Sequence, residues 1–196
     1  MSSELTSVVL PGRAGRTTVL AGLRGQAART RTLTVDAAIL LAVGAGVAHL
    51  ISIRTHWDWW QASGVFFALI TVAQFALAAA LAVHRTGVRT LLAGVWSNVL
   101  VVGVYVASRL VALPGQPVTT AHHAPKAPGR AFLPARPEGV GSFDLFALVL
   151  ELALIVLLTG LLPARWRTRT TSALMWCGVA MCALAAWAIT TGHLQF

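Results

Sequence analysis

Charge is scarce in this chain, and negative charge scarcest of all: 11% of its 196 residues are charged, and six are acidic. Soluble domains carry about 25% charged residues, so a chain with 57% apolar residues is no single water-soluble domain and belongs with polytopic membrane proteins. Lysine is nearly missing, one against fourteen arginines, and with the abundant Ala, Gly and Val this is a bias of high-GC bacteria. The two cysteines, Cys177 and Cys182, lie five residues apart in an apolar run. A helix turns them to different faces, which excludes a disulfide framework and leaves free thiols. Phosphate-binding loops, nucleophile elbows and zinc-protease helices are missing, and so are inverted repeats of the transporter kind. Catalysis by this chain alone is therefore not expected. The net charge of +9 does not indicate nucleic acid, because the arginines cluster beside apolar runs as topology determinants do and no nucleic-acid motif accompanies them.

What the chain has in quantity is long apolar runs. A bilayer core of about 30 Å is crossed by about 20 apolar helical residues, and five runs qualify, at 36–53, 62–83, 91–113, 143–162 and 172–191. The expected fold is all-α, a five-helix polytopic protein of the bacterial cytoplasmic membrane, with the lipid bilayer as its first partner. Residues 1–35 form a basic arm without a run long enough to span or to act as a signal sequence. The stretch 114–141 holds six of the eight prolines and is expected to be an extended loop rather than regular structure. His56, Trp57, Asp58, Trp59 and Trp60 read as a short interfacial turn.

An odd number of spans puts the termini on opposite sides. With the N-terminus inside, ten arginines fall on the inner side and five basic residues on the outer, so the positive-inside rule gives N-in, C-out. Trp57, Trp59, Trp60 and Trp187 then mark the outer boundary, and Trp96, Trp166 and Trp176 the inner one.

Glu151 lies in the middle of the fourth run, where an ionisable group is costly enough to be paired or functional. Asp144, seven residues earlier, falls on the same helical face. The third span carries Asn98, Tyr105 and Arg109 in one stripe, and the second carries Ser63, Phe67, Thr71 and Gln74. The first offers His49 beside a ladder of small residues, Ala38, Ala42 and Gly46, which allows close helix approach. Taking the first span to end at residue 53 and the third at 113, His49 and Arg109 lie about 6 Å below the outer ends and Glu151 about 12 Å. Side chains tilt toward their helix N-terminus, which brings these groups together. The expected site is a polar cluster in the outer third of the bundle: His49, Arg109, Asp144 and Glu151, with Gln74 and Asn98 beneath. Its plainer reading is an Arg109–Glu151 pair that neutralises buried charge and fixes register.

His49, His56, His122 and His123 fall on or near the outer face with Asp144 and Glu151, and imidazole with carboxylate suits copper or zinc. Their spacing matches no metal motif, so copper is an alternative and not the leading expectation. Met175, Cys177, Met181 and Cys182 are split between two faces of the fifth span and read as packing residues.

His49, the His56-Trp57 pair, Phe66-Phe67 with Gln74, Asn98, the segment from Arg109 to Pro114-Gly115, and Glu138-Gly139-Val140-Gly141 followed by Asp144 and Glu151 resemble a group of uncharacterised multi-pass membrane proteins of actinobacteria. The likeness covers about half the chain; it implies the membrane class and carries no activity. The expected function is that of a non-catalytic accessory or structural subunit packing against larger membrane protein subunits, through small-residue faces at Gly178, Cys182 and Ala186 and at Ala78 and Ala82. An outer-face copper-handling protein is the alternative, and a small ion or solute carrier the third reading.

Overall fold

The computed structural model describes residues 13–83, 86–110 and 142–190. Among them are five helices and no strand: α1 (Arg13–Trp59), α2 (Gln61–Ala82), α3 (Val88–Leu110), α4 (Ser142–Leu161) and α5 (Ala164–Thr190). All five are long and apolar enough to cross a membrane. Their outward faces agree, since Leu40, Leu69, Val72, Leu100, Val156, Met175 and Trp176 are 64–73% exposed. Water does not tolerate such a surface over five helices, whereas lipid does.

Two helices start or stop away from the apolar runs. The first is one helix of 47 residues, so the described part of the basic arm, from Arg13 onward, runs without a break into the first span. At its other end α1 passes residue 53 and takes in most of the stretch read as a turn, leaving only Trp60 outside a helix. Local bonds make so short a connection possible. Trp60 is extended (φ −156°, ψ 116°), its N–H donates to the His56 carbonyl at 2.7 Å, and its carbonyl accepts from Ser63 and Gly64 N–H at 3.0 and 3.2 Å. The Ser63 hydroxyl lies 3.0 Å from the His56 carbonyl and 2.7 Å from that of Trp60. The groups orphaned at the two helix ends thus find partners across the turn. Gly64 is required here, because a Cβ at that position would sit 2.7 Å from Trp57 Cα.

The fifth helix begins eight residues before its apolar run. Pro163 cannot continue α4, lacking an N–H, and its carbonyl accepts from Trp166 and Arg167 N–H at 2.9 Å. Arginine is a good helix former, so Arg165, Arg167 and Arg169 extend the span as a polar first turn and more. Hydropathy alone does not see this extension.

In the bundle, α1 packs against both α2 and α4, α3 packs against α4 and closes on α2, and α5 touches α3 and α4 at the edge. The small ladder of α1 faces inward as expected: Ala38 and Ala42 are fully buried, and a Cβ on Gly46 would meet Phe75 at 3.1 Å. The half of the bundle near the α2–α3 connection is filled by Ala38, Ala42, Leu77, Leu81, Leu91, Val95, Leu154 and Leu158. Because lipid is as apolar as leucine, this packing gains from close contact rather than from escape from water. Gly94 shows how close: its Cβ would stand 2.8 Å from Leu158 Cδ1 and 2.9 Å from Leu77 Cδ1. Ala78, expected on a lateral face, belongs to this core at 5% exposure. The period of α2 turns it inward with Leu77, Leu81 and Gln74.

Candidate functional site

The other half of the bundle holds buried polar side chains beside a mainly apolar hollow. His49 lies ten residues from the end of α1 and Glu151 nine residues into α4, so at about 1.5 Å per residue both sit roughly 14–15 Å from the end where α1 turns into α2. The extra turn and a half of α1 puts His49 deeper than its apolar run implies, level with Glu151. His49 Nε2 and Glu151 Oε1 are 2.8 Å apart, with the residues 4% and 2% exposed. One proton is shared: an imidazole N–H donates to the carboxylate, or a carboxyl O–H donates to the ring. A pair of this kind satisfies two groups that are each expensive in a bilayer. His49 Nδ1, also buried, has no hydrogen-bond partner among the described residues.

About one helical turn deeper, Gln74 Nε2 donates to Asn98 Oδ1 at 2.9 Å, and Asn98 Nδ2 donates to the Gly94 carbonyl at 2.7 Å. This amide pair separates the hollow half from the apolar core. Above it, the Phe67 ring lies between two histidines, its centroid 5.6 Å from that of His49 and 4.0 Å from that of His56. His49 and His56 are seven residues apart and so share one face of α1.

Between α1, α2, α3 and α4 lies a cavity of about 230 Å³, lined among others by His49, Glu151, Asp144, Tyr105, Phe67 and Ile70. The seven-residue spacing of Asp144 and Glu151 does bring both carboxylates to one wall. The neighbours Ala147 and Leu148 line it as well, at the positions between them that helical geometry assigns to the same face. Ser52 and Ser108 are further lining residues that sequence reading passed over. Each lies three residues beyond a residue already singled out, His49 or Tyr105, and that spacing was the available signal.

Of the six residues expected to form the cluster, His49, Glu151 and Asp144 meet at the cavity, while Gln74 and Asn98 bond to each other beneath it. The side chain of Arg109 lies outside the described residues; the described partner of Glu151 is His49. Of the metal candidates, His56 is 8% exposed and its Nδ1–H donates to the Ser52 carbonyl at 2.9 Å. His122 and His123 lie outside the described residues. Among the described residues no group of three or more His, Cys, Asp or Glu is placed to hold a metal ion. Both cysteines are free. Chemically the arrangement offers a neutralised imidazole–carboxylate pair at the wall of a small, mainly apolar cavity, with hydroxyls from Ser52, Ser63, Tyr105 and Ser108 around it.

No family model, curated protein or solved structure matches the chain.

Proposed function

We propose that this chain is a non-catalytic accessory subunit of a larger integral-membrane complex, embedded in the bacterial cytoplasmic membrane with its N-terminus inside and its C-terminus outside. One observation carries the reading. The helix α5 buries only Thr170 and Ala188 among its residues, although it is as long and apolar as the helices that form the body of the bundle. Its side at Gly178, Cys182 and Ala186 is uncovered, and small residues of this kind let another transmembrane helix approach closely. The packed apolar half of the bundle supports an accessory role over that of a carrier, since it gives no polar path across. Orientation rests on the arginines, with Arg29, Arg31, Arg89, Arg165, Arg167 and Arg169 gathered at the end opposite Trp60.

The test is co-purification of the tagged full chain from its native membranes in mild detergent. No atom lies within 4 Å of a Cβ on Gly178 or on Gly160, so Gly178→Leu and Gly160→Leu are both expected to insert and fold, which thermal unfolding of each variant checks. Larger subunits are expected with the wild type and Gly160→Leu, and lost from Gly178→Leu. Equal recovery with all three proteins removes α5 as the contact, and a wild type that purifies alone removes the reading.

A further inference from the structure

At the end where the arginines gather, α1 outlasts the helix beside it. The face that buries Ala42 and Ala38 continues in steps of four to Thr34 and Thr30, whereas α4 stops at Leu161 and the chain turns back at Pro163. With its cover gone the face changes character: Ala38 and Ala42 are fully buried, while Thr30 and Arg31 are exposed. An open groove of about 740 Å³ is left between the two helices. Gln26, Thr30, Arg31 and Thr34 line it from α1, and Val156, Leu157, Gly160 and Leu161 line it from α4. One wall is polar and the other apolar.

The two walls lie at different depths. Trp57, 43% exposed, marks the headgroup level at the opposite end of α1; His49 stands eight positions from it and Arg31 twenty-six, about 12 and 39 Å at 1.5 Å per residue. Glu151 is level with His49, so Val156 and Leu161 follow at about 20 and 27 Å. A bilayer is about 40–45 Å thick with its headgroups and about 30 Å without them. Arg31 therefore stands among the headgroups of the leaflet on the arginine side, and the α4 wall lies in the hydrocarbon of that same leaflet. The groove has the polarity of a phospholipid.

Charge narrows the choice of phospholipid. No acidic residue lines the groove, and Asp36, the described acid at this end, is five positions from Arg31 and so about 140° around the helix. The hydroxyls of Thr30 and Thr34 donate to the carbonyls of Gln26 and Thr30, at 3.0 and 2.9 Å. That leaves the Arg31 guanidinium and the Gln26 amide as side-chain donors for a phosphate. A zwitterionic headgroup brings an ammonium that answers its own phosphate, whereas an anionic one leaves its net charge to Arg31.

We infer that this groove binds an anionic phospholipid of the leaflet on the arginine side, its phosphate on Arg31 and an acyl chain laid along Val156 and Gly160. Nothing lies within 4 Å of a Cβ on Gly160, so the chain passes over a gap that a larger side chain would fill. This site stands apart from the contact along α5, and neither requires the other.

The experiment is native mass spectrometry of the purified full chain in detergent, titrated with dioleoyl phosphatidylglycerol and, separately, dioleoyl phosphatidylcholine. One saturable site is expected for phosphatidylglycerol, about fivefold tighter than for phosphatidylcholine, the increment of one arginine at a membrane surface. Arg31→Gln is expected to abolish that preference. Arg29→Gln removes the same charge from a position about 160° around the helix and is expected to keep the preference within twofold. Gly160→Leu, expected to retain any partner held along α5, is expected here to remove saturable binding of both lipids. Equal affinity for the two lipids, equal effects of Arg31→Gln and Arg29→Gln, or binding that survives Gly160→Leu overturns the inference. So does displacement of phosphatidylglycerol by glycerol phosphate at matched concentration, which would make the site one for free phosphate. Should Gly160→Leu fail to fold, the lipid preference and the two arginine variants decide alone.

Discussion

His49 on α1 and Glu151 on α4 are 102 positions apart in the chain and 2.8 Å apart in space, and they join two helices at the level where the bundle is least filled. The pair removes most of the cost that either group would incur alone. Its separate members are therefore worth more to the fold than the pair as a whole.

That asymmetry gives the first prediction. His49→Leu strands a carboxyl group at 2% exposure, and breaking a buried pair costs about 3–5 kcal/mol. Glu151→Leu strands the imidazole in the same way. The double substitution leaves two apolar side chains facing each other and is expected to recover most of that loss. Unfolding measurements in detergent on the four proteins give the coupling; additive losses would show that the two residues act independently.

The amide pair is expected to be worth less. Asn98→Ala removes the acceptor for Gln74 Nε2 and the bond to the Gly94 carbonyl. Interhelical hydrogen bonds in membrane bundles average about 0.6 kcal/mol, with about 1.7 kcal/mol at the upper end. A loss of about 1 kcal/mol in the same unfolding assay is the expected result, and a loss as large as that of His49→Leu would contradict the ranking.

Glycine substitutions are expected to change sign along the chain. At Gly64 a Cβ meets Trp57 backbone at 2.7 Å and at Gly94 it meets buried leucine ends at 2.8–2.9 Å, so Gly64→Ala is destabilising by about 1–3 kcal/mol, as overpacking is, and Gly94→Ala by less. At Gly103 and Gly160 nothing lies within 4 Å, and alanine is the better helix former by about 1 kcal/mol. Gly103→Ala and Gly160→Ala are therefore expected to raise the melting temperature. A uniform effect at all four sites would mean that helix propensity, and not close approach, governs them.

Orientation is checked by reporters. One inserted at Gly87, between α2 and α3, and one appended after Phe196 are expected to report opposite sides, with Gly87 inside. The same side for both excludes the proposed topology.

The helices were legible because their signal is length and apolar continuity, which the bilayer imposes. Their ends were less so. Hydropathy stops at residue 53, whereas α1 continues through His56 and Trp57 because Ser52, Ser63 and the Trp60 backbone satisfy that end locally. The shorter span bore on the site: with α1 ending at residue 53, His49 stood near the surface and the formal charge of Arg109 made it the more obvious partner for Glu151, whereas the partner that the described residues supply is His49. Helical periodicity did place Asp144 with Glu151, and it turned Gln74 and Asn98 inward. It carried no information on the void between the helices, because a cavity depends on which side chains fail to meet across four segments, and no single segment records that.

The single residue between α1 and α2 makes the chain count itself a determinant of the site. One residue added beside Trp60 would turn the whole of α2 by about 100°, taking Phe67 and Ile70 from the cavity wall and Gln74 from Asn98 together. In a longer connection such an insertion is absorbed as slack. Here little slack exists, since the helices pass so closely that even a Cβ added at Gly64 would stand 2.7 Å from Trp57 Cα. Along this hairpin, spacing is fixed as firmly as residue identity, and a change in length reaches further than any substitution.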